Sequence, residues 1–499
     1  MLRFLKNNLK NSSKEDNEKY PSIAKNLDKN VKQLNKMFSS DKNSDFASRE
    51  FVAQYSNNKI NIFYYSTIVN GDKLYTGIIQ PLLENVGETL KNVVTLEAIE
   101  ELSTYEDVIE HINSGYVIIF EDTLDKAFAI DVAQFQHRGI EKSQNESVIK
   151  GPKEAFTEAL GVNVSLLRKR FHDKQLINES LKVGERSKLE VNLLYVEDLV
   201  NNDVLKDVKK RINDIKSDNV RNVEMLEQFL EERPYSIVPS ILYTERPDKA
   251  ATYIEDGYIV ILMDNSSACL IVPINFWAFF QSPEDRYLRF LYGNFTRLIR
   301  FIAFFITVFI SAIYIGVTNY HSEMIPPDLL LAITAARERV PFPLVFEVLL
   351  MEIAFELIRE AGIRIPNPLG PTIGIVGALI LGQAAVDANI ISPIVVIIVA
   401  LSGLTSFAVS DVSMNYSVRL SKYIFITASA WFGMFSLTGA FIVWISYLSS
   451  LKSFGVPFFS PVTPTYKSPG NNLFRKALKN EIWRPGNIKP KDIKKKQTE

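Results

Sequence analysis

The stretch FIAFFITVFISAIYIGVTNY, residues 301–320, contains no charged residue. It has the length of about 20 residues that a helix needs to cross the hydrocarbon layer of a bilayer. Four arginines precede it closely, and such a basic cluster marks the cytosolic end of a span. They are Arg286, Arg289, Arg297 and Arg300. The stretch therefore predicts an integral membrane protein whose first span, at about 299–320, starts from the cytosol.

Three more uncharged runs follow in the C-terminal half, and each is long enough for a span. They predict spans at about 368–387, 390–410 and 423–450. Four spans return the chain to the cytosol. The tail at 465–499 agrees with that side, because it has ten basic residues against three acidic ones from residue 467 onward.

The N-terminal half has a different composition, rich in Lys, Asp, Glu and Asn. Strand-like runs alternate with helical patterns, which predicts two cytosolic α/β domains with mixed sheets, at 46–147 and 148–296. Gly151-Pro152 predicts the start of a helix that continues to about residue 171. Residues 1–45 form a flexible basic segment. The fold class is therefore multi-domain: two cytosolic α/β domains followed by an all-α transmembrane bundle at 297–464.

Whole-chain averages hide this division, since the net charge is -1 and the mean hydropathy is +0.03. The single cysteine, Cys269, excludes an internal disulfide framework, and its apolar neighbours favour a buried structural thiol. The N-terminus lacks the continuous apolar core of a signal peptide. Motifs for nucleophilic catalysis, phosphate binding or metal ligation are absent from the sequence. The sequence thus predicts no enzyme, no metal, no cofactor and no nucleic-acid partner.

The segment 344–363 departs from a simple span because carboxylates lie within its apolar pattern. Glu352 and Glu356 fall on one face of a helix, and Glu347 stands among its apolar positions. One interpretation is an amphipathic helix at the outer interface or against other subunits. The other is an additional re-entrant or cavity-lining element, because carboxylates at membrane depth are costly unless they face water or partners.

The span at 368–387 has two unlike faces. Small residues let helices approach closely in lipid, and a polar stripe is able to face a water-filled path. In an oligomer, aspartates at the end of this stripe would form a ring at the cytosolic mouth and favour cations; alternatively, the polar residues bond a neighbouring helix. The packing candidates are Gly374, Ala378, Gly382 and Ala385, and the pore-lining candidates are Thr372, Val376, Leu379, Gln383 and Asp387.

Several motifs resemble those of the GerA-type spore germination receptor A subunits. The N-terminal half carries GPKEAFTE at 151–158, ERPD at 245–248 and PINFW at 273–277. The membrane half carries GQAAV at 382–386 and SFGVP at 453–457. The resemblance extends over roughly residues 46–464.

This resemblance implies a protein of the inner spore membrane with cytosolic N- and C-termini. It implies a transporter-like B subunit that senses nutrient and a lipoprotein C subunit as partners, together with membrane lipid. A subunits would form a homo-oligomeric ring that passes monovalent cations when nutrient is present. Arg168 and Arg170 are candidates for salt bridges in that ring, or else ordinary solvated charges.

Two other functions remain open at the level of sequence. The first alternative is a non-conducting scaffold that couples a nutrient sensor to a separate channel. The second is an A-type paralogue from a sporulation operon. In the scaffold, Glu347 and Gln383 have purely structural roles.

Overall fold

Two sheet domains precede a group of packed helices in the computed structural model. It describes residues 22–85, 89–96, 99–135, 146, 150–364, 382–470 and 472–495.

The first domain contains a five-stranded sheet in the order β1-β2-β4-β5-β3, with every neighbouring pair antiparallel. β4 is buried on both faces, because Ile118 and Phe120 enter one core while Val117 and Ile119 enter the other. α1 and α5 cover the first face, and α2, α3 and α4 cover the second. α1 lies within residues 1–45, so the prediction of a flexible segment there was wrong for residues 27–37. The elements are α1 (Leu27–Met37), β1 (Phe46–Val52), β2 (Lys59–Tyr65), α2 (Gly71–Leu74), the π-helical turn Tyr75–Ile79, α3 (Gln80–Glu84), α4 (Leu90–Val93), β3 (Ile99–Leu102), α5 (Tyr105–Asn113), β4 (Tyr116–Glu121) and β5 (Ala127–Asp131).

The second domain repeats this plan with a sheet in the order β6-β7-β9-β10-β8, again antiparallel throughout. The prediction of mixed sheets was therefore wrong for the described strands of both domains. The helix predicted from Gly151-Pro152 begins only at Leu160, since residues 152–157 run without helical structure. The elements are α6 (Leu160–Arg168), β6 (Leu176–Val183), β7 (Leu189–Val196), α7 (Asn202–Asn213), α8 (Val223–Leu230), β8 (Leu242–Thr244), α9 (Pro247–Glu255), β9 (Ile259–Met263), β10 (Cys269–Val272), the 3-10 helix Phe276–Phe280 and α10 (Glu284–Tyr287).

The C-terminal helices share a core with one face of the second sheet. Phe276 lies at the junction, where its ring centroid is 6.0 Å from that of Phe304 and 5.9 Å from that of Phe458. The second domain and the helices are therefore packed as one body. The helical elements are α11 (Phe290–Tyr320), the 3-10 helix Ser322–Met324, α12 (Pro327–Arg337), α13 (Leu344–Arg364), a helical segment at 382–387, α14 (Pro393–Ser406), α15 (Val412–Phe432) and α16 (Met434–Ser450).

α11 contains the predicted first span and has 31 residues. Among the described residues it is the one helix that is both long and apolar enough to cross a membrane; α14 and α16 are apolar but shorter. We call the end of the helices that meets the second domain the proximal end, and the opposite end the distal end. α11 runs from proximal to distal, since Phe304 packs near the domain and Tyr320 lies at the far end.

The single span predicted at 423–450 is instead two antiparallel helices, α15 and α16. They meet at Gly433, whose φ of +61° breaks the helical path. α15 ends beside Tyr320 at the distal end, and α16 returns until Ser450 accepts hydrogen bonds from Arg233 of the second domain. The sequence hid this turn because it contains no charged residue and no proline.

α13 is the segment for which the sequence left two interpretations open. It packs against α11 and α14 and runs from the distal to the proximal end. This extra pass reverses the direction expected for α14, which runs from the distal to the proximal end. Asp387, expected at the cytosolic mouth, lies at the distal end, because Ala385 accepts hydrogen bonds from Ile390 and Ile391 just before α14 begins there.

The C-terminal tail folds back onto the second domain and the start of α11. Lys491 donates a backbone hydrogen bond to Leu199, and Lys495 pairs with Asp256 at 2.7 Å. Its short elements are β11 (Lys452–Ser453), β12 (Val456–Pro457) and the 3-10 helices Leu478–Asn480 and Gly486–Ile488.

Candidate functional site

A buried ion pair connects three of the C-terminal helices. The Glu352 carboxylate on α13 accepts hydrogen bonds from Lys422 Nζ on α15 at 2.6 Å and from Ser311 Oγ on α11 at 2.7 Å. The side chains of Glu352 and Lys422 are 0% and 2% exposed. Charges shielded in this way are tolerated only when they are paired and hydrogen-bonded, as they are here.

A second layer of the network lies one helical turn closer to the proximal end. Glu356 accepts a hydrogen bond from Lys422 Nζ at 3.2 Å and is bonded by both Nε and Nη2 of Arg419. Positions 352 and 356 share one face of α13, and positions 419 and 422 share one face of α15, because residues three or four apart are neighbours on a helix surface. The acidic face of α13 therefore lies against the basic face of α15.

Arg359 extends the network to α14. Its Nη2 donates to Ser406 Oγ at 2.8 Å and to the Gly403 carbonyl at 3.0 Å, and its guanidinium lies 4.4 Å from the ring centroid of Phe407. Gly403 lets α13 and α14 pack closely, since a Cβ there would lie 2.4 Å from the Phe355 ring. The network thus spans α11, α13, α14 and α15.

Glu347 lies at the distal end and is 1% exposed. It accepts hydrogen bonds from Arg337 Nε at 3.3 Å and from the backbone nitrogen of Ser392 at 3.0 Å. Ser392 is the N-cap of α14, and a carboxylate is favourable beside a helix N-terminus. All three predicted membrane carboxylates therefore have hydrogen-bond partners within the same chain.

Sequence reasoning missed the partners of these carboxylates. Lys422 and Arg419 lie in the interval that was left between the spans predicted at 390–410 and 423–450. The available signal was the spacing of the two pairs. Arg419 and Lys422 are three residues apart and Glu352 and Glu356 are four apart, so each pair shares one face of a helix. A charge pattern on one helix does not identify which other helix it meets.

The predicted polar stripe is only partly described. Gly382 packs against Val396 of α14, while Gln383 and Asp387 are exposed and Gln383 Nε2 donates to Asp387 Oδ1 at 3.0 Å. Ala385 is half-buried. The remaining candidates, Thr372, Val376, Leu379, Gly374 and Ala378, lie outside the described residues.

Arg168 lies between the two sheet domains and not on the surface, so its interpretation as a subunit contact or a solvated charge is corrected. It is 3% exposed, pairs with both carboxylate oxygens of Asp45 at 2.6 and 2.7 Å, and stacks on the Tyr65 ring at 3.7 Å. Burial acts to lower the pKa of the guanidinium, but Asp45 outweighs it and raises that pKa. Arg170 pairs instead with Glu154 at 2.6 Å.

A further buried cluster joins the second domain to the start of α11. Asp285 is 0% exposed and accepts hydrogen bonds from Arg297 Nε at 2.8 Å and from Arg300 Nη1 and Nη2 at 2.9 and 2.6 Å. Burial acts to raise the pKa of the Asp285 carboxyl, but the hydrogen bonds and charges of the arginines hold it below its usual value. From the sequence alone, these arginines indicated only which end of the first span lies in the cytosol.

The described residues hold no group of three or more His, Cys, Asp or Glu side chains placed to bind a metal. Cys269 is fully buried on β10, as its neighbours indicated, and burial raises the pKa of its thiol.

The fold and the buried network define a class of protein: two antiparallel α/β domains, the second continuous with a helical group that has one membrane-length helix and paired internal charges. The chain belongs to the family of Bacillus/Clostridium GerA spore germination proteins, whose family model matches residues 32–487. The resemblance stated from the motifs is thus confirmed.

Several proteins are similar in sequence to this chain over most of their length. The chain is 35% identical to spore germination protein KA of Bacillus subtilis over 483 residues, which is 95% of this chain and 88% of that one. It is 35% identical to spore germination protein A1 of the same organism, covering 86% and 88%. An uncharacterized membrane protein of that organism, YfkQ, is 34% identical, covering 93% and 91%.

Among solved structures, the N-terminal domain of the A subunit of the Bacillus megaterium spore germinant receptor GerK3 is similar at 23% identity. The match covers 51% of this chain and 97% of that one, with a TM-score of 0.40. Family membership supports a role in spore germination and an association with the spore inner membrane. The family is one of receptor subunits and not a known class of enzyme.

Proposed function

We propose that this chain is the A subunit of a nutrient-germinant receptor and that it assembles into a homo-oligomeric, nutrient-gated cation channel in the inner spore membrane. Its partners would be a nutrient-sensing B subunit and a lipoprotein C subunit. Family membership supports the receptor role, whereas support for the channel comes from exposed polar residues before α14 and from the buried network.

The helices α11 and α13–α16 would cross the membrane as a bundle, with the sheet domains and both termini in the cytosol. The charges of α13 and α15 do not oppose this placement, because Glu352 pairs with Lys422 and Glu356 with Arg419 inside the bundle. The arginines that bind Asp285 lie at the proximal end, where the positive-inside rule requires basic residues.

The observation that carries the channel proposal is the exposure of Gln383 and Asp387 beside a packed Gly382. Polar side chains at the edge of a membrane bundle are costly against lipid, so they favour a water-filled path or a second subunit. In a ring, the Asp387 carboxylates would lie at the outer mouth, since the distal end faces away from the cytosolic domains. A ring of carboxylates favours cations over anions.

The buried network supplies an element on which gating is able to act. Glu352, Lys422 and Ser311 hold three helices in one arrangement, and a displacement of α13 would break two hydrogen bonds of one carboxylate together. Packed polar contacts of this kind switch between discrete arrangements more readily than they deform gradually. A partner that binds one arrangement more tightly would shift the population.

The test is nutrient-triggered cation flux from liposomes that contain the assembled receptor. We expect Gln383→Leu to change the flux at least severalfold, because it replaces a polar lining residue with an apolar one. Glu185→Gln is the control, since Glu185 is exposed on the turn between β6 and β7 of the second domain. Nutrient binding with no flux from the unmodified receptor would contradict the channel and leave the non-conducting scaffold.

A further inference from the structure

A patch of exposed apolar and basic side chains surrounds the proximal start of α11. Four apolar residues of the first turns, Phe290, Leu291, Tyr292 and Phe295, are between 43% and 79% exposed. The tail adds Phe474, which is 50% exposed. Soluble surfaces rarely collect so many large apolar side chains in one place, and such patches mark interaction sites. We call this set, with the basic residues Arg289, Lys476 and Lys479, the foot patch.

The tail is held against α11 by specific contacts. The backbone nitrogen of Arg475 donates to Asn294 Oδ1 at 2.8 Å, and Arg475 Nη2 donates to the Leu288 carbonyl at 2.9 Å. Gly293 permits this approach, because a Cβ there would lie 2.6 Å from the Asp285 carbonyl oxygen and 3.3 Å from Arg475 Nε. Phe474 and its basic neighbours are therefore fixed beside the first turns of α11.

The apolar surface of the foot patch is continuous with the exposed face of the membrane-length helix. Leu291 and Phe295 lie in one helical stripe with Ile299, Ile302 and Phe305, at successive spacings of four, four, three and three. All five are exposed. The apolar stripe that would face lipid further along α11 therefore continues as far as the first turns of the helix, beside the tail.

The charges of the foot patch have a single sign. Segments 289–295 and 472–480 contain no aspartate or glutamate, and Arg289, Lys476 and Lys479 are exposed. Basic residues with interleaved aromatic and aliphatic side chains at the cytosolic side of a span are suited to the headgroup layer, where anionic phosphates attract the cations and the apolar groups enter the acyl boundary.

We infer that the foot patch binds anionic phospholipid headgroups of the cytosolic leaflet and that the tail segment 472–479 is an interfacial anchor for the first span. This inference rests on the proposed membrane placement of α11. Its consequence is that the tail, the second domain and α11 are held at a fixed height relative to the bilayer.

The test uses the full chain in nanodiscs with a fluorophore on Ala477→Cys, which is half-buried between the two lysines. The native Cys269 is fully buried and does not compete for the label. We expect quenching by lipids that carry a spin label near the headgroup, stronger in discs with phosphatidylglycerol than in discs of phosphatidylcholine alone. Lys476→Glu with Lys479→Glu should reduce that quenching at least about twofold in the anionic discs.

Two controls separate this inference from the proposed function. Lys489→Glu changes the charge of an exposed lysine elsewhere on the tail, and it should leave the quenching unchanged. A label on Ile302→Cys reports the span itself. Quenching at residue 302 by spin labels deep in the acyl chains, with none at residue 477 in either lipid, would overturn the anchor alone. Absence of quenching at both positions would overturn the membrane placement.

Discussion

At the scale of single residues, the C-terminal half stabilises charges by pairing them inside the chain. Glu352 and Lys422 are the extreme case, because neither side chain reaches solvent. Burial of an isolated charge costs several kcal/mol, so each member depends on the other. This dependence predicts an asymmetry between single and double substitutions.

Glu352→Gln is expected to destabilise the helices by about 3–5 kcal/mol, since it leaves the Lys422 ammonium buried beside a neutral amide. Adding Lys422→Gln should recover a large part of that loss, because no unpaired charge remains. Thermal unfolding in detergent measures both variants. Glu338→Gln, at an exposed position, should stay within about 0.5 kcal/mol of the unmodified protein. Equal losses for the single and double variants would argue against the pair.

Glu227 on α8 predicts a pH dependence. Burial raises the pKa of its carboxyl to about 8, and Glu231, Asp411 and Glu224 add to the rise. Between pH 4.5 and about pH 8 the folded state therefore holds a proton that the unfolded state has released. The free energy of unfolding falls as the pH rises through this range and is lowest above pH 8. Glu227→Gln removes the dependence.

We expect Glu227→Gln to match the unmodified protein near pH 4.5 and to exceed it by about 1–3 kcal/mol at pH 8. The melting temperature measured across this interval tests the sign. Glu185→Gln is the control, since Glu185 is exposed and should give parallel curves. A Glu227→Gln curve parallel to that of the unmodified protein would show that Glu227 is ionised in both states.

At the scale of elements, one glycine divides an apolar run into two helices. Gly433 has a φ of +61°, a conformation that residues with a side chain rarely adopt, and a Cβ there would lie 2.7 Å from Tyr320 Cβ. The turn therefore depends on both the backbone freedom and the small size of glycine. Tyr320 completes the turn, because its hydroxyl donates to the Ala430 carbonyl at 2.6 Å.

Gly433→Ala is expected to destabilise the protein by about 2–4 kcal/mol, through backbone strain together with the contact against Tyr320. Gly439→Ala in α16 is the matched control, since no heavy atom lies within 4 Å of its added Cβ. That control should be neutral or stabilising by up to about 1 kcal/mol, because alanine is the better helix former. Thermal unfolding of the two variants side by side compares the turn with the helix.

At the scale of the whole molecule, buried ion pairs join the parts of the chain in series. Arg168 ties the first domain to the second, and Asp285 ties the second domain to α11. The second domain and the helices also share an aromatic core through Phe276. A change in either sheet domain therefore has a packed route to the helices.

Arg168→Lys is expected to loosen the joint between the sheet domains while leaving each sheet intact. Lysine keeps the charge but loses the two-point contact with Asp45 and the stacking on Tyr65. Hydrogen exchange should increase at the Ser44 amide, which donates to the Asn178 carbonyl across the joint at 2.8 Å. Arg170→Lys is the control, since Arg170 pairs only with Glu154 among the contacts described. Equal protection in both variants would contradict the role of Arg168.

The features that depend on local composition and short motifs could be predicted from the sequence alone. The uncharged run at 301–320 predicted α11, the alternating patterns predicted the two α/β domains, and the motifs predicted the family. These signals lie within short segments, so neighbouring residues suffice to read them. The carboxylates of α13 were also visible, although their partners were not.

Only the tertiary structure decided which helices meet. It assigned Glu352 to Lys422, divided the run at 423–450 at Gly433, moved Asp387 to the distal end and placed Arg168 between the domains. The physical reason is that a charge or a small residue has the same local pattern whether it faces solvent, lipid or another helix. Its partner lies far away in the chain, for example 70 residues for the Glu352–Lys422 pair, and is chosen by packing.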